Sequence, residues 1–492
     1  MPTDKIIRKK VLLLNPPGNK LYIRDYYSSL VSKLNYYWPP IDLQLFSAFL
    51  YGRHDIRVLD AIAERVNYAK AYKAVINMDI DTIIFLTGAV SWKEDFEFLA
   101  GIAARKKLNI IGSGDILLYA GRDLMKRYDF LDGISLDFTT ADILSYLEGQ
   151  GDGRKINNFI YRIGDAIISG DKTGPDEYSI PVPRHELFPL LKYSTPLSRR
   201  YPLTGIITDF GCSFNCTFCP YANIRFRTRN IENVREELRY ISKLKIKELV
   251  FRNQTFTVPR QKAYELCSMM VSEKFGFSWM AISRVNAVDK ELLAIMKKAG
   301  CHSLIFGVET QNDEVLKKYN KMITAEDSKR AFRLCREAGI NPSAYIIIGL
   351  PGESKESIFE SIKFVKELDA EYVSFSIATP RIGTKFREEV ISNNLVASDN
   401  LSGLDSSLSF PMMGTKELTA QEIWEIRNYA IRSFYLNFSF IFRRLCRVSS
   451  FRDLRSIFSE GVYFCKNYYR SLFGGRRLEK GQSKDDYCAD AI

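Results

Sequence analysis

The chain has 492 residues, of which 46% are hydrophobic and 26% charged, which is typical of a folded protein with two or three domains. No apolar run approaches the roughly 20 residues that a membrane-spanning helix needs, and the first ten residues lack the pattern of a secretion signal. The nine cysteines are an odd number, which argues against a disulfide framework. We therefore expect a cytoplasmic protein.

The first 150 residues alternate short apolar runs with longer amphipathic ones. This alternation predicts a parallel, doubly wound, Rossmann-like α/β domain over residues 1–150. Predicted strands cover 11–15, 56–60, 82–87 and 108–112, and the clearest helices cover 41–51 and 92–106. Ligands of such sheets bind at the carboxyl ends of the strands, where glycines allow a large ligand to approach the backbone. The candidate binding residues at these ends are Asn15, Gly18, Thr87, Gly88, Gly112 and Gly114.

A second alternation follows a predicted linker at 151–200, in which prolines oppose both helices and interior strands. Six strand-helix units over 201–390 are too few for a closed eight-fold barrel, which needs about 250 residues. They predict a partial (β/α)6 barrel. Its predicted strands cover 203–208, 246–251, 277–281, 303–307, 343–348 and 371–376, and its helices cover 231–243, 260–274, 289–299, 325–338 and 354–367.

The C-terminal part is predicted to be helical over 391–475 and to end in a disordered tail at 476–492. Between 441 and 480 it carries ten Lys and Arg against three Asp and Glu, among many Phe and Tyr. Two interpretations stay open: a surface helix that packs its aromatic face on the barrel, or a helix that lies on an anionic membrane surface. No nucleic-acid-binding module accompanies this charge, and we expect no nucleic-acid partner.

The most specific motif is a trio of cysteines between Gly211 and Pro220. Cys212, Cys216 and Cys219 are spaced C-x3-C-x2-C, and no fourth cysteine is close in sequence. A structural zinc site needs four ligands, and the three histidines are distant. A cubane iron–sulfur cluster held wholly by protein needs four thiolates. The trio therefore predicts a 4Fe-4S cluster in which one iron stays open for another ligand.

This trio, placed after an apolar run, resembles the signature of the radical S-adenosylmethionine (SAM) enzymes. The resemblance extends to the segments that fall where this family places its barrel strands. The N-terminal part resembles the cobalamin-binding domain of the B12-dependent subgroup. The barrel segments are 251–256, 283–284, 307–310 and 348–353, and the N-terminal segments are 14–18, 38–40 and 58–60.

The resemblance implies roles for residues at the ends of the barrel strands. In the family, SAM binds the open iron; Phe218 and Gly349 would then lie against its adenine. Arg284 would pair with its carboxylate, and Glu309 would contact the ribose or the amino group. Structural roles compete with these: a hydrophobic plug for Phe218 and a strand-to-helix turn for Gly349, a surface salt bridge for Arg284 and a buried charge for Glu309.

One segment departs from the family pattern. Many members carry Gly-Gly-Glu after the second strand to hold the SAM amino group, where this chain has Arg252, Asn253 and Gln254. An amide or a hydroxyl can accept the same hydrogen bond, so Asn253, Gln254 and Thr255 are the candidate ligands. The N-terminal part also lacks the Asp-x-His-x-x-Gly pattern that ligates cobalt in some B12 proteins, so we expect no histidine on the cobalt.

The implied cofactors are a 4Fe-4S cluster, SAM and cobalamin, with an electron donor of the flavodoxin or ferredoxin type. The leading hypothesis is methyl transfer to an unactivated carbon of a small-molecule, lipid or other apolar substrate, in the cytoplasm or at the inner face of the membrane. A radical cyclase, a ring-forming enzyme or a carbon–carbon coupling enzyme is the alternative within the family. An iron–sulfur or cobalamin sensor, an electron-transfer protein and a Rossmann domain without its cofactor stay open as well.

Overall fold

A computed structural model of the chain describes residues 8–26, 28–149, 155–397, 401, 404–407, 410–438, 440–442 and 461–462. The elements up to residue 200 are β1 (Lys10–Asn15), β2 (Tyr22–Ile23), β3 (Leu30–Val31), α1 (Ile41–Leu50), β4 (Asp55–Asp60), α2 (Tyr68–Asn77), β5 (Thr82–Leu86), α3 (Trp92–Ala103), β6 (Asn109–Ser113), α4 (Asp115–Arg127), β7 (Gly133–Ser135), α5 (Asp142–Leu147), β8 (Phe159–Ile163), β9 (Ala166–Ser169), β10 (Glu177–Tyr178) and a 3-10 turn at His185–Leu187.

The first sheet has seven strands in the order β4-β1-β5-β6-β7-β8-β9 and is parallel as far as β7. Alternate residues of β1 point to opposite faces of the sheet and pack into two different hydrophobic cores. Leu12 and Leu14 pack with α2, α3 and α4, whereas Val11 and Leu13 pack with α1. Both faces are therefore buried, which explains the continuous apolar runs of these strands. The predicted Rossmann-like α/β fold is confirmed.

The expected linker contributes to this sheet. β8 and β9 pair antiparallel with each other, and β8 pairs antiparallel with β7. The sheet thus extends past the predicted boundary at residue 150. A two-residue turn, Gly164-Asp165, joins the two strands, and Gly164 has φ +56°. Such a turn matches the twist of a hairpin.

The elements from residue 201 onward are β11 (Leu203–Ile206), β12 (Asp209–Phe210), a 3-10 turn (Pro220–Asn223), β13 (Arg227–Arg229), α6 (Ile231–Lys243), β14 (Glu248–Phe251), α7 (Arg260–Ser272), β15 (Ser278–Ser283), a 3-10 turn (Val285–Ala287), α8 (Lys290–Lys298), β16 (Cys301–Glu309), α9 (Asp313–Lys318), α10 (Ala325–Glu337), β17 (Asn341–Ile348), α11 (Lys355–Glu367), β18 (Val373–Ile377), α12 (Lys385–Ser392) and α13 (Ala420–Tyr435). All six predicted barrel strands and all five predicted helices are present.

The second sheet is parallel, in the order β11-β14-β15-β16-β17-β18. Its edge strands, β11 and β18, do not pair with each other, so the barrel is partial, as predicted. The helices cover its outer face. The first half of the chain packs against the inner face of this sheet. Val250, Met280 and Ile305 share a core with Ile41 and Leu45 of α1. Every residue of α1 is buried because the helix lies between the two sheets.

The described C-terminal part is helical in α13, whereas its described residues between 393 and 419 are irregular, contrary to the predicted helical region. Ile423, Ile426, Ala430 and Phe434 of α13 pack into the core of the barrel helices. The basic, aromatic segment at 441–480 lies outside the described residues apart from 441–442 and 461–462, and so does the predicted tail. Among the described helices, none combines the length and the apolar character that crossing a membrane requires.

Candidate active site

The cysteine trio lies on a loop at the carboxyl end of β11. β12 and β13 pair antiparallel and bracket this loop. Gly211 opens it with φ +79°, a conformation that favours glycine. A Cβ at this position would lie 2.5 Å from the backbone oxygen of Arg225 and 2.6 Å from that of Ile224. The glycine before the first cysteine therefore lets the two ends of the loop meet.

Backbone hydrogen bonds hold the loop on the barrel. The amide of Thr217 donates to the Tyr319 carbonyl, and the Thr217 carbonyl accepts from the Phe386 amide, both at 3.0 Å. The side chain of Asn320 donates to the Asn215 carbonyl at 3.0 Å. The end of α9 and the start of α12 thus fix the middle of the loop.

The three thiols influence one another within this loop. Cys216 is buried, Cys212 and Cys219 are partly buried, and the Cys219 amide donates to the Cys216 carbonyl at 3.0 Å. Burial and the neighbouring Cys216 thiol raise the pKa of Cys219 to about 12 and also raise that of Cys212. The described residues contain no group of three His, Cys, Asp or Glu side chains placed to hold a metal ion.

The donor set nevertheless fits a cluster with three protein thiolates. All three cysteines belong to one anchored loop at the mouth of the barrel. The other described cysteines, Cys267, Cys301 and Cys335, are buried in the core between sheet and helices. They behave as small apolar residues of that core.

Arg284 follows β15 and lies against the cysteine loop. Its Nη1 donates to Cys216 Sγ at 3.4 Å, and its Nη2 donates to the Lys321 carbonyl. The guanidinium lies 3.9 Å from the centre of the Phe214 ring. Because Arg284 is buried, the alternative of a surface salt bridge is wrong. A fixed guanidinium beside a thiol can balance a thiolate and pair with a carboxylate.

Glu309 ends β16 in the left-handed region, with φ +66°. Its buried carboxylate accepts from Lys321 Nζ at 2.6 Å. Lys321 Nζ also lies 5.9 Å from the centre of the Phe218 ring. A Cβ at Gly307 would collide with both the carboxylate and the ammonium group, so this glycine makes room for the pair. The sequence gives no signal for Lys321, which follows a helix rather than a strand.

Gly349 has the contacts of a strand-to-helix turn, the structural alternative. The amides of Gly349 and Leu350 donate to the Glu353 carboxylate at 3.1 and 3.0 Å. A Cβ at Gly349 would lie 2.9 Å from Ile423 of α13. Burial raises the pKa of Glu353 to about 7.

Asn253 and Arg252 bond to the protein itself. The Asn253 side chain donates to Thr208 Oγ1 at 2.6 Å and to the Asp209 carboxylate, and so holds the chain just before the cysteine loop. Arg252 pairs with Asp25, and its guanidinium lies 3.8 Å from the centre of the Trp38 ring. Arg252, in the segment that replaces Gly-Gly-Glu, therefore joins the barrel to the first half of the chain.

The six candidate residues of the first sheet lie at or beside the carboxyl ends of its strands. Asn15 donates to Asp60 at 2.8 Å and accepts from Arg24 at 2.8 Å. Thr87 donates to Asp95 at 2.6 Å, and Asp95 forms a buried ion pair of 2.5 Å with Arg24. The side chains expected to contact cobalamin are thus bonded within the chain.

The glycines at this edge make room for the chain as well. A Cβ at Gly88 would collide with Ser29, and one at Gly114 (φ +135°) with the Thr87 backbone. Gly18 and Gly112 adjoin Tyr22 and Leu117 in the same way. Residues 18–26 and 28–30 therefore lie close over this edge.

The comparisons with known proteins agree with this geometry. The family model of the Radical SAM superfamily matches residues 206–365, which include the cysteine loop, Arg284 and Glu309. Residues 206–365 therefore form a Radical SAM domain. The chain is 28% identical over 444 residues to an uncharacterized methyltransferase of Pyrococcus horikoshii, covering 87% of this chain and 92% of the relative. It is 24% identical over 447 residues to the anaerobic magnesium-protoporphyrin IX monomethyl ester cyclase of Cereibacter sphaeroides, covering 85% of this chain and 70% of the relative.

Two solved structures share the fold of this chain. One is the radical SAM methyltransferase TsrM of Kitasatospora setae with cobalamin and a [4Fe-4S] cluster bound, with a TM-score of 0.62 and 18% identity over 79% of this chain and 75% of that one. The other is the cobalamin-dependent enzyme OxsB with aqua-cobalamin and SAM bound, with a TM-score of 0.68 and 15% identity over 95% of this chain and 72% of that one. The fold is that of the cobalamin-dependent radical SAM enzymes.

Proposed function

We propose that this radical SAM enzyme uses a 4Fe-4S cluster, SAM and cobalamin to transfer a methyl group to an unactivated carbon of a small-molecule substrate. The observation that carries the proposal is the convergence of Arg284, Lys321 and Glu309 beside Cys216 at the mouth of the barrel. Methyl transfer is supported by the P. horikoshii relative and by TsrM, which are described as methyltransferases. Cobalamin is supported by the fold shared with TsrM and OxsB, which bind it.

The cofactors supply the reactive chemistry: when bound, a reduced cluster delivers an electron to SAM, SAM is the source of a radical and of methyl groups, and cobalamin is a methyl carrier. The protein holds and shields these groups. Cys212, Cys216 and Cys219 would ligate three irons, and Arg284 would orient the SAM carboxylate. The pair of Lys321 and Glu309 fixes an acceptor for a ribose hydroxyl or an amino group. The first half of the chain closes the inner face of the barrel and excludes water from it.

A radical cyclase or coupling enzyme without methyl transfer is the second candidate. One observation favours it: residues 18–26 and 28–30 lie over the edge of the first sheet where cobalamin was expected, and the candidate side chains Asn15 and Thr87 bond to other residues of the chain. The C. sphaeroides relative, which matches along most of the chain, is described as a cyclase.

Product analysis separates the candidates. Protein reconstituted anaerobically with iron and sulfide is mixed with reductant and SAM, with and without hydroxocobalamin, and 5′-deoxyadenosine and S-adenosylhomocysteine are quantified. We expect both products, with S-adenosylhomocysteine only when cobalamin is present. Deoxyadenosine alone would favour the cyclase or coupling reaction. If protein with an intact cluster forms neither product, the assignment as an enzyme is contradicted. A sensor or an electron-transfer protein would then be favoured.

Substitution of one cysteine tests the cluster. Cys216→Ala should remove the iron–sulfur absorption and leave no detectable 5′-deoxyadenosine, because two thiolates cannot hold the cluster. Cys267→Ala is the matched control, since Cys267 is also buried but lies in the helix-packing core. This control should keep its iron. Normal iron content in Cys216→Ala would contradict the assignment.

The same proposal includes an apolar or lipid substrate and peripheral contact with a membrane. It also includes an electron donor of the flavodoxin or ferredoxin type. Phe438, just before the basic segment, and Phe442, at its start, are 81% and 58% exposed. Their rings are stacked with centres 6.3 Å apart. An exposed apolar surface therefore precedes the positively charged segment in the sequence.

Truncation tests the membrane contact. Deleting 443–492 leaves α13 on the barrel and should abolish binding to vesicles that contain phosphatidylglycerol, without lowering the melting temperature. Vesicles of phosphatidylcholine alone are the control and should bind neither form. Undiminished binding of the truncated chain to the anionic vesicles would exclude the contact.

A further inference from the structure

The cysteine loop reaches the protein surface beside the turn that joins α9 to α10. Ser213 and Asn215, which lie between the first two cysteines, are exposed. The Asn320 side chain donates to the Asn215 carbonyl at 3.0 Å, and the Asn286 side chain donates to the Met322 carbonyl at 3.1 Å. These five exposed, uncharged residues therefore form one surface, which we call the loop surface.

The turn holds Met322 outward. Its side chain is 66% exposed, whereas Lys321 and Ile323 on either side are buried. Asn320 and Met322 both have a left-handed backbone, with φ +53° and +52°, a conformation that is uncommon for methionine. These two turns of the backbone bring Lys321 to Glu309 and leave Met322 in solvent. The exposure of the methionine is thus a fixed feature of the turn.

The same turn connects the loop surface to the site proposed for the cluster. The Lys321 carbonyl, next to Met322, accepts from Arg284, and this guanidinium donates to Cys216 Sγ at 3.4 Å. The exposed methionine is therefore linked to a proposed iron ligand through one carbonyl and one guanidinium group. Because electron transfer slows steeply with distance, a protein that reduces the cluster has to bind close to the cysteine loop.

Positive charge surrounds the loop surface. Three loops that meet at the cysteines contain one basic residue each and no acidic residue, namely 211–226, 319–324 and 378–384. The exposed Lys317 ends this side of α9, and the exposed Lys385 begins α12. These helices also carry acids, Glu314 and Glu388, but about one turn further from the loops. The charge nearest the loop surface therefore favours a partner with an acidic surface.

We propose that the loop surface is the docking site of a one-electron donor protein that carries a flavin at an acidic surface, a flavodoxin. The donor loses one electron, and the oxidised cluster gains it. Met322 contacts the edge of the flavin, because methionine sulfur and aromatic rings attract each other. Lys317 and Lys385 face acidic side chains of the donor. This inference rests on the proposed function, which requires a reduced cluster.

Binding of oxidised flavodoxin tests the loop surface without turnover. The reconstituted enzyme is titrated calorimetrically with an acidic flavodoxin at low ionic strength. The double variant Lys317→Glu, Lys385→Glu should bind it about tenfold or more weakly, because two attractions become repulsions. Met322→Asn should bind it about fivefold more weakly, since asparagine tolerates the left-handed turn but lacks the thioether. No binding by the wild type, or undiminished binding by both variants, would overturn the proposal.

Matched variants carry the same changes elsewhere. Leu191→Asn replaces an apolar side chain that is 64% exposed, and Lys126→Glu, Lys363→Glu reverses two exposed charges on α4 and α11. Both controls should bind flavodoxin as the wild type does. An acidic ferredoxin, which has no flavin, should depend on the two lysines but not on Met322. Equal losses in the controls, or an equal dependence of ferredoxin on Met322, would refute the assignment.

Two reductants separate this inference from the proposed function. Dithionite is small and needs no docking surface, so Met322→Asn and the lysine variant should form 5′-deoxyadenosine with it at the wild-type rate. With reduced flavodoxin, both variants should be slower than the wild type. Equal slowing with both reductants would exclude docking. Normal flavodoxin binding without 5′-deoxyadenosine from either reductant would remove the radical function and leave the docking surface.

Discussion

At the scale of single residues, the positive charge of Arg284 offsets the negative charge of a cluster thiolate at Cys216. Cluster thiolates are negative, and the described side chain that meets one of them from the barrel is Arg284. Its planar guanidinium contacts a sulfur atom, a backbone carbonyl and an aromatic ring at once. A lysine has one compact ammonium group and cannot make these three contacts together.

Arg284→Lys should therefore lower the formation of 5′-deoxyadenosine while most of the iron is retained. Replacing a residue that orients metal ligands typically costs about 10- to 100-fold in activity. Arg260→Lys is a matched control, because Arg260 also makes several polar contacts, to Asp289 and Glu291, but on the surface. Wild-type rates in Arg284→Lys, measured at saturating SAM, would contradict the role.

Residue positions were predictable where they follow from strand ends. Arg284 and Glu309 follow or end buried parallel strands, and such ends meet at one edge of a sheet. Lys321 and the stack of Arg252 on Trp38 were not predictable, because these contacts join residues that are distant in sequence or placed after a helix. Nothing in the spacing of the chain indicates them.

At the scale of elements, local patterns predict the barrel better than the linker. The barrel strands were found because their apolar runs are separated by helices of clear amphipathic period. The expectation of a linker rests on prolines that all follow β9, whereas Gly164-Asp165 is the two-residue signal of a hairpin. The position of residues 18–26 and 28–30 over the first sheet could not be predicted, since the sequence does not distinguish polar side chains that bond inside a protein from solvated ones.

The cysteine loop depends on Gly211, and Gly276 is a control that separates the cost of a positive φ from the cost of a steric conflict. Gly211→Ala combines a positive φ with a Cβ close to two backbone carbonyls, whereas Gly276→Ala has φ +65° and no atom within 4 Å. Both lose about 1–2 kcal/mol of stability from the left-handed conformation. Only Gly211→Ala should also lose bound iron, as measured per chain after reconstitution. Equal iron content in the two variants would exclude the steric argument.

At the scale of the whole molecule, the two sheets form one structure around α1. Because α1 is buried on all sides, its polar residues lie in the common interior: Gln44 donates to Thr204 of β11 at 3.1 Å, and Asp42 accepts from Ser113 of β6 at 3.2 Å. Helix α1 is thus tied to both sheets, and the charge of Asp42 affects the stability of the whole chain.

Asp42 should make the enzyme less stable as the pH rises. Burial raises its pKa to about 7 in the folded protein, whereas the unfolded chain has a value of about 3.9. Below the unfolded value both states are protonated, and the full stability is present. Between the two values only the unfolded chain releases the proton, so each pH unit removes about 1.4 kcal/mol from the free energy of unfolding. Above about 7 the loss is complete.

Asp42→Asn keeps an acceptor for Ser113 and does not titrate. Urea unfolding between pH 5.5 and 7 should show the wild type losing about 2 kcal/mol relative to Asp42→Asn, while the pH effects of all other groups cancel in the difference. Asp79→Asn, at an exposed carboxylate, controls for the removal of a charge and should follow the wild type over this range. Parallel pH profiles for wild type and Asp42→Asn would show that Asp42 is already ionised in the folded protein. The interior around α1 would then have to accommodate a carboxylate through the hydroxyl of Ser113.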